Sequence, residues 1–208
     1  MNEAIIGFAG VLVGSFITVF KDLWTSYRER YKEGSYSAIR LISILEAYAD
    51  RCIDIVYDDG TAYGRPAGRA DNGEEYAEAQ EETPSPLDFP DDIVWRSLDE
   101  GIVHRIVALP NKARRTNRYI GMSVEGASPP YYEDYFDARQ EGYARLGAEA
   151  LEIVGELRRR FRISANSGIH MTTEWDPAAF LGKTIQKFDT ERAELDAWRA
   201  EKAKEVAT

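Results

Sequence analysis

Few side chains in this sequence are spaced for chemistry, and each candidate has a structural explanation beside it. His104 follows Glu100 by four residues, which puts both on one face of a helix at a metal-ligating spacing. A metal would need further ligands, and the other histidine, His170, sits in a loop of the distant half of the chain. Glu100 also completes an S-x-x-E capping box with Ser97, so its carboxylate has a local use. Asp58-Asp59 and Asp91-Asp92 stand at the two ends of an acidic stretch and could close around a hard cation. The same pairs serve as helix-end and turn residues, which is the simpler account. Cys52, the sole cysteine, lies in a helical apolar pattern and reads as a small core residue. The chain has no G-x-x-x-x-G-K-[ST], no G-x-G-x-x-G and no G-x-S-x-G, and no Cys–His arrangement for a nucleophile. No residue is therefore nominated as catalytic, cofactor-binding or metal-binding, and no cofactor is expected.

What the sequence does supply is an anchor. Residues 4–20, AIIGFAGVLVGSFITVF, carry no charge. As a helix they cover roughly 25 Å, slightly less than a hydrocarbon core of about 30 Å. Lys21 can snorkel, and Leu23, Trp24 and Tyr27 extend the segment with side chains suited to the interface. A signal peptide would need a basic leader and a small-residue cleavage site, and neither is present. A buried soluble helix is the remaining alternative. Lys21, Arg28, Arg30 and Lys32 follow the run with nothing comparable before it, so the positive-inside rule places the N-terminus outside and the body of the chain in the cytoplasm. Gly7, Gly10, Gly14 and Thr18 share one helical face, and Gly10 and Gly14 fit the G-x-x-x-G pattern through which membrane helices associate.

Charge and composition set further bounds. A hydrophobic content of 44% across 208 residues supports one anchor and one packed soluble domain. Within residues 58–92, eleven carboxylates face only Arg65 and Arg69, while the rest of the chain is nearly balanced. An excursion this acidic argues against nucleic acid as a partner and is repelled by anionic lipid. One cysteine excludes an internal disulfide.

The periodicity predicts an all-α fold: an N-terminal transmembrane helix followed by an irregular cytoplasmic helical bundle with a long acidic loop. Residues 1–24 form the anchor, and 25–57 the juxtamembrane stretch and first bundle helix, with a weak point or kink at Gly34-Ser35. Its stripe is Ile39, Ile42, Leu45, Ala49, Cys52, Ile53 and Val56, ending near Gly60. Residues 58–92 are the acidic Gly/Pro-rich excursion, in which 74–83 reads equally as a short helix or an extended edge. The bundle core is 93–163. Here Leu98, Ile102, Ile106 and Leu109 form one stripe, Pro110 kinks or restarts the helix, and Lys112, Arg114, Arg115 and Arg118 alternate around the next. That basic run is a solvated face or a partner for the excursion. Ser128-Pro129-Pro130 breaks the chain before a long helix striped by Tyr132, Tyr135, Phe136, Tyr143, Leu146, Ala150, Val154, Leu157 and Phe161. Residues 164–208 are a loop and a last helix, capped by Asp176-Pro177, with Leu181, Ile185, Phe188, Leu195 and Trp198 recurring and a frayed end from Ala200.

Several of these stretches resemble a group of bacterial membrane-anchored helical proteins with no assigned activity. The resemblance rests on DDGTAYGRPAG (58–68), FPDDIVWRSL (89–98), ASPPYYEDYF (127–136) and ARQEGYARLG (138–147). It implies a bacterial origin and an irregular segment that belongs to the domain, and it carries over no functional residue.

The functional expectation is a single-pass protein of the bacterial inner membrane. It contacts the lipid bilayer through its N-terminal helix, and its cytoplasmic helices bind a protein partner or form a homo-oligomer. The alternative is a membrane-tethered enzyme whose excursion folds over a carboxylate site with Asp58 and Asp59, to which Arg65 or Arg69 could be added. A pore or lysis-type protein is a third class, poorly suited to one short span and a large acidic body.

Overall fold

Apolar side chains from Ala38 to Val56 recur at three- and four-residue spacing and seat one long helix, α1 (Asn2–Tyr57), on the rest of the chain. The computed structural model describes residues 2–128, 130–164 and 175–206, with the side chains of 2–19 and of 206 outside that description. Three more helices follow among the described residues: α2 (Glu100–Gly126), α3 (Glu133–Phe161) and α4 (Pro177–Val206). The all-α expectation holds at this level. No helix among the described residues is long and apolar enough to cross a membrane. The expected span, apart from Phe20, falls on residues whose side chains are not described.

Helix α3 is the centre of the bundle, and α1, α2 and α4 each pack along it. Tyr31 and Gly34 of α1 meet Phe161 at the end of α3, Glu46 meets Arg158, and Gly60 just beyond α1 meets Phe136 near the start of α3, so these helices run antiparallel. On α2, Arg105 reaches Glu156 and Lys112 reaches Glu149, giving the same sense. Leu41, Leu45, Cys52, Ile106, Leu109, Tyr143, Ile153, Leu157 and Leu181 fill the space between. Ile39, expected in the α1 stripe, is exposed.

Neither Gly34 nor Pro110 interrupts its helix, and packing explains both. Gly34 lies inside continuous α1, where a Cβ would come within 2.7 Å of the Phe161 ring and 2.9 Å of the Ser97 carbonyl. The glycine permits close approach of three elements within an uninterrupted helix. Pro110 also stays inside α2. It removes the amide that would bond the Ile106 carbonyl, at a cost of about 3 kcal/mol, and the fully buried Ile106 and Leu109 beside it offset that cost. The capping box is corrected. Asp99 is the N-cap of α2 and accepts from the Gly101 amide at 2.9 Å, while Ser97 donates to the Val94 carbonyl within a 3-10 turn at Trp95–Ser97.

The acidic excursion is extended. Two small antiparallel ladders, β1 (Thr61–Ala62) with β2 (Arg65–Pro66) and β3 (Gly68–Arg69) with β4 (Glu75–Tyr76), are followed by a strap. Residues 74–83 contain no helix. The strap returns the chain to the start of the bundle, where the Val94 amide donates to the buried Ser37 hydroxyl at 3.0 Å and Asp92 pairs with Arg40.

The final helix begins as expected, with Asp176 accepting from the Ala178 and Ala179 amides. It continues to Val206, past the expected fraying point at Ala200. Leu181 and Phe188 are buried, whereas Leu195 and Trp198 are exposed because α4 has by then run past the bundle. Pro129, and residues 165–174 with His170, lie outside the described residues.

Candidate functional site

The two ends of the α1–α3 pair carry opposite charge and treat it differently. At one end Asp58, the first residue after α1, is buried against Arg139 of α3, with 1% and 4% of their side chains exposed. The Asp58 carboxylate accepts from the Gly60 amide at 3.0 Å through Oδ1. Through Oδ2 it accepts from the Gln80 and Glu81 amides at 2.9 and 3.0 Å and pairs with Arg139 at 3.2 Å. Arg139 also donates to the Glu81 carbonyl, and Gln140 donates to the Asp58 carbonyl. One carboxylate thus ties the helix end, the first turn and the strap into a single knot, with its lone pairs directed at the protein's own donors. Gly60 has a φ of 79° and lies against the Phe136 ring, so the turn needs a residue without a Cβ.

The other acidic candidates are dispersed. Asp59 accepts from the Thr61 amide and hydroxyl, and those bonds hold its pKa below the ordinary carboxylate value. Asp92 lies beside Arg40, about five helical turns before Asp58 along α1, and Asp58 is already enclosed. Arg69 pairs with Glu75, and Arg65 is exposed. The two aspartate pairs are therefore not brought together. Among the described residues no group of three metal-ligating side chains converges, and His104 and Glu100 are both exposed on α2. Lys112 pairs with Glu149 of α3 and not with the excursion. Cys52 is buried beside Tyr48, and its thiol is pushed up to about 12 by that burial.

At the opposite end lies an open cavity of about 980 Å³. Arg28, Arg30 and Lys32 enter it from α1, Arg96 from the 3-10 turn, and Arg160 and Arg162 from the end of α3. Asp99 and Glu100 are the carboxylates on its wall. None of the six cations forms an ion pair among the described residues. The negative end of the α3 dipole accounts for Arg160, as it does for Arg158, which instead pairs with Glu46. It does not account for the three cations of α1 or for Arg96.

The floor of this groove is built deliberately close. Tyr31 donates to the Phe161 carbonyl at 3.1 Å and its ring lies 5.6 Å from that of Phe161, while Gly34 lets α1 touch both Phe161 and Ser97. Above that contact α1 stands clear of the bundle, and Phe20, Leu23, Trp24 and Tyr27 are all more than half exposed, Trp24 by 58%.

Gly7, Gly10, Gly14 and Thr18 lie on helical backbone, and their side-chain surroundings are outside the described residues. Sequence reasoning used Arg28, Arg30 and Lys32 for orientation but missed their convergence with Arg96, Arg160 and Arg162. The run RRRFR at 158–162 was the available signal. It also missed Arg139, which is 81 positions from Asp58. No protein-family model matches the chain, and neither a curated protein nor a solved structure matches it.

Proposed function

We propose that this is a single-pass protein of the bacterial inner membrane, anchored by residues 4–20, whose cytoplasmic helical domain serves association with itself or with a protein partner. The observation that carries the reading is the exposed stem of α1. An uncharged run leads directly into Phe20, Leu23, Trp24 and Tyr27, which stand in the open on a continuous helix. Such a strip is costly in water and well placed at a lipid–water boundary. The cations that follow favour an N-terminus outside and a domain inside. The face of Gly7, Gly10, Gly14 and Thr18 supports pairing of two such helices in the bilayer. The enzyme reading finds little support in a carboxylate enclosed by its own backbone amides.

The test is an alkaline wash of membranes from cells expressing the full chain or a version starting at Thr25, which keeps every residue from Tyr31 onward that packs on the bundle. The full chain should stay with the membrane and the shortened one should be released. Release of both would overturn the anchor.

A further inference from the structure

Resting on the anchored reading, we infer that the basic groove at the stem of α1 binds the headgroups of anionic phospholipids on the cytoplasmic leaflet. Net charge alone points the other way, because a chain at -10 should be repelled by such a surface. The fold resolves the conflict by segregation. The first part of the acidic excursion, through Glu81, is held at the Phe136 end of α3; its last aspartates return toward the start of the bundle, where Asp92 is answered by Arg40, and the unpaired cations gather at the Phe161 end, against the stem.

Position and chemistry agree. Tyr27 belongs to the exposed aromatic strip and also lines the groove, so the groove begins where the interfacial belt ends. From Tyr27 to Lys32 the helix advances only about 7.5 Å, comparable to one headgroup layer of roughly 5–8 Å. Arginine side chains can cover that distance and grip phosphate oxygens with paired donors. The six cations come from three elements fixed by the Tyr31–Phe161–Gly34 contact, so they are held together before any ligand arrives. A headgroup phosphate also needs no specific pocket depth, which suits an open groove.

The experiment uses the full chain in a neutral detergent, with unfolding followed by circular dichroism during titration with short-chain phosphatidylglycerol, short-chain phosphatidylcholine or glycerol phosphate. Phosphatidylglycerol should raise the midpoint by about 4 °C or more near saturation, and phosphatidylcholine should not. Arg96→Gln with Arg160→Gln should lose at least half of that rise while unfolding at the parent temperature in phosphatidylcholine. Arg30→Gln with Lys32→Gln, on the stem, provides a second variant with the same expectation. Equal rises with the two lipids, an equal rise with glycerol phosphate, or a full rise in both double variants would overturn the proposal. A chain that resists the alkaline wash but shows no phosphatidylglycerol-specific rise keeps its anchor and loses this site. A chain released by the wash loses both.

Discussion

Arg139 and Arg160 are both on α3, and their surroundings are opposite. Arg139 is buried, paired with Asp58 and bonded to a strap carbonyl. Arg160 is exposed, unpaired among the described residues, and shares an open groove with five other cations. A charge enclosed by donors and acceptors of its own chain is holding the fold together. A charge left to solvent beside others of the same sign costs repulsion and is retained where something outside the chain can answer it. The acidic end, although its composition is the more conspicuous, is tied into the fold, and the basic end is the surface proposed above for lipid headgroups.

Substitution can break that contrast. Asp58→Ala should have the largest effect, because it strands Arg139 in the interior and leaves the Gly60, Gln80 and Glu81 amides without their acceptor. A loss of about 3–5 kcal/mol is expected, read from urea unfolding of the full chain in detergent. Gly60→Ala should follow at about 2–4 kcal/mol, since the new Cβ meets both a φ of 79° and the Phe136 ring. Arg160→Gln should change stability by less than about 0.5 kcal/mol; a loss resembling that of Asp58→Ala would make the groove a structural feature and erase the distinction. Lys112→Ala, at an exposed pair with Glu149, should cost about 0–1 kcal/mol. The smallest signal is chemical. Burial pushes the Cys52 thiol up to about 12, so a maleimide at neutral pH should leave it unmodified in the folded chain and react once urea is added.

The parts of this fold that were legible in the sequence are those set by neighbours within a turn or two. The end of α1 near Gly60, the Asp176-Pro177 start of α4 and the α3 stripe from Tyr143 to Phe161 are local patterns, and each is present. Pro110 and Gly34 misled because packing overruled their local preference: the burial of Ile106 and Leu109 on the same helix in one case, contact with the distant Phe161 and Ser97 in the other. The knot at Asp58 and the basic groove join residues tens of positions apart. Charge in a sequence shows where carboxylates and guanidinium groups are numerous, and only the packing decides which of them find each other. The two aspartate pairs stay apart for that reason, since Asp58 is satisfied from within and Asp92 is drawn to Arg40.

The measurement that tests the central claim most directly follows the stem into the bilayer. Because Cys52 is buried and its thiol suppressed, a second cysteine can carry a fluorescent label alone. Val13→Cys and Leu195→Cys, each labelled in the otherwise unchanged full chain, are placed in vesicles whose acyl chains carry bromine. The account predicts strong quenching at position 13, within the uncharged run, and none at position 195 on the exposed end of α4. Equal, weak quenching at the two positions would contradict it, and the stem would then have to find its partner in protein.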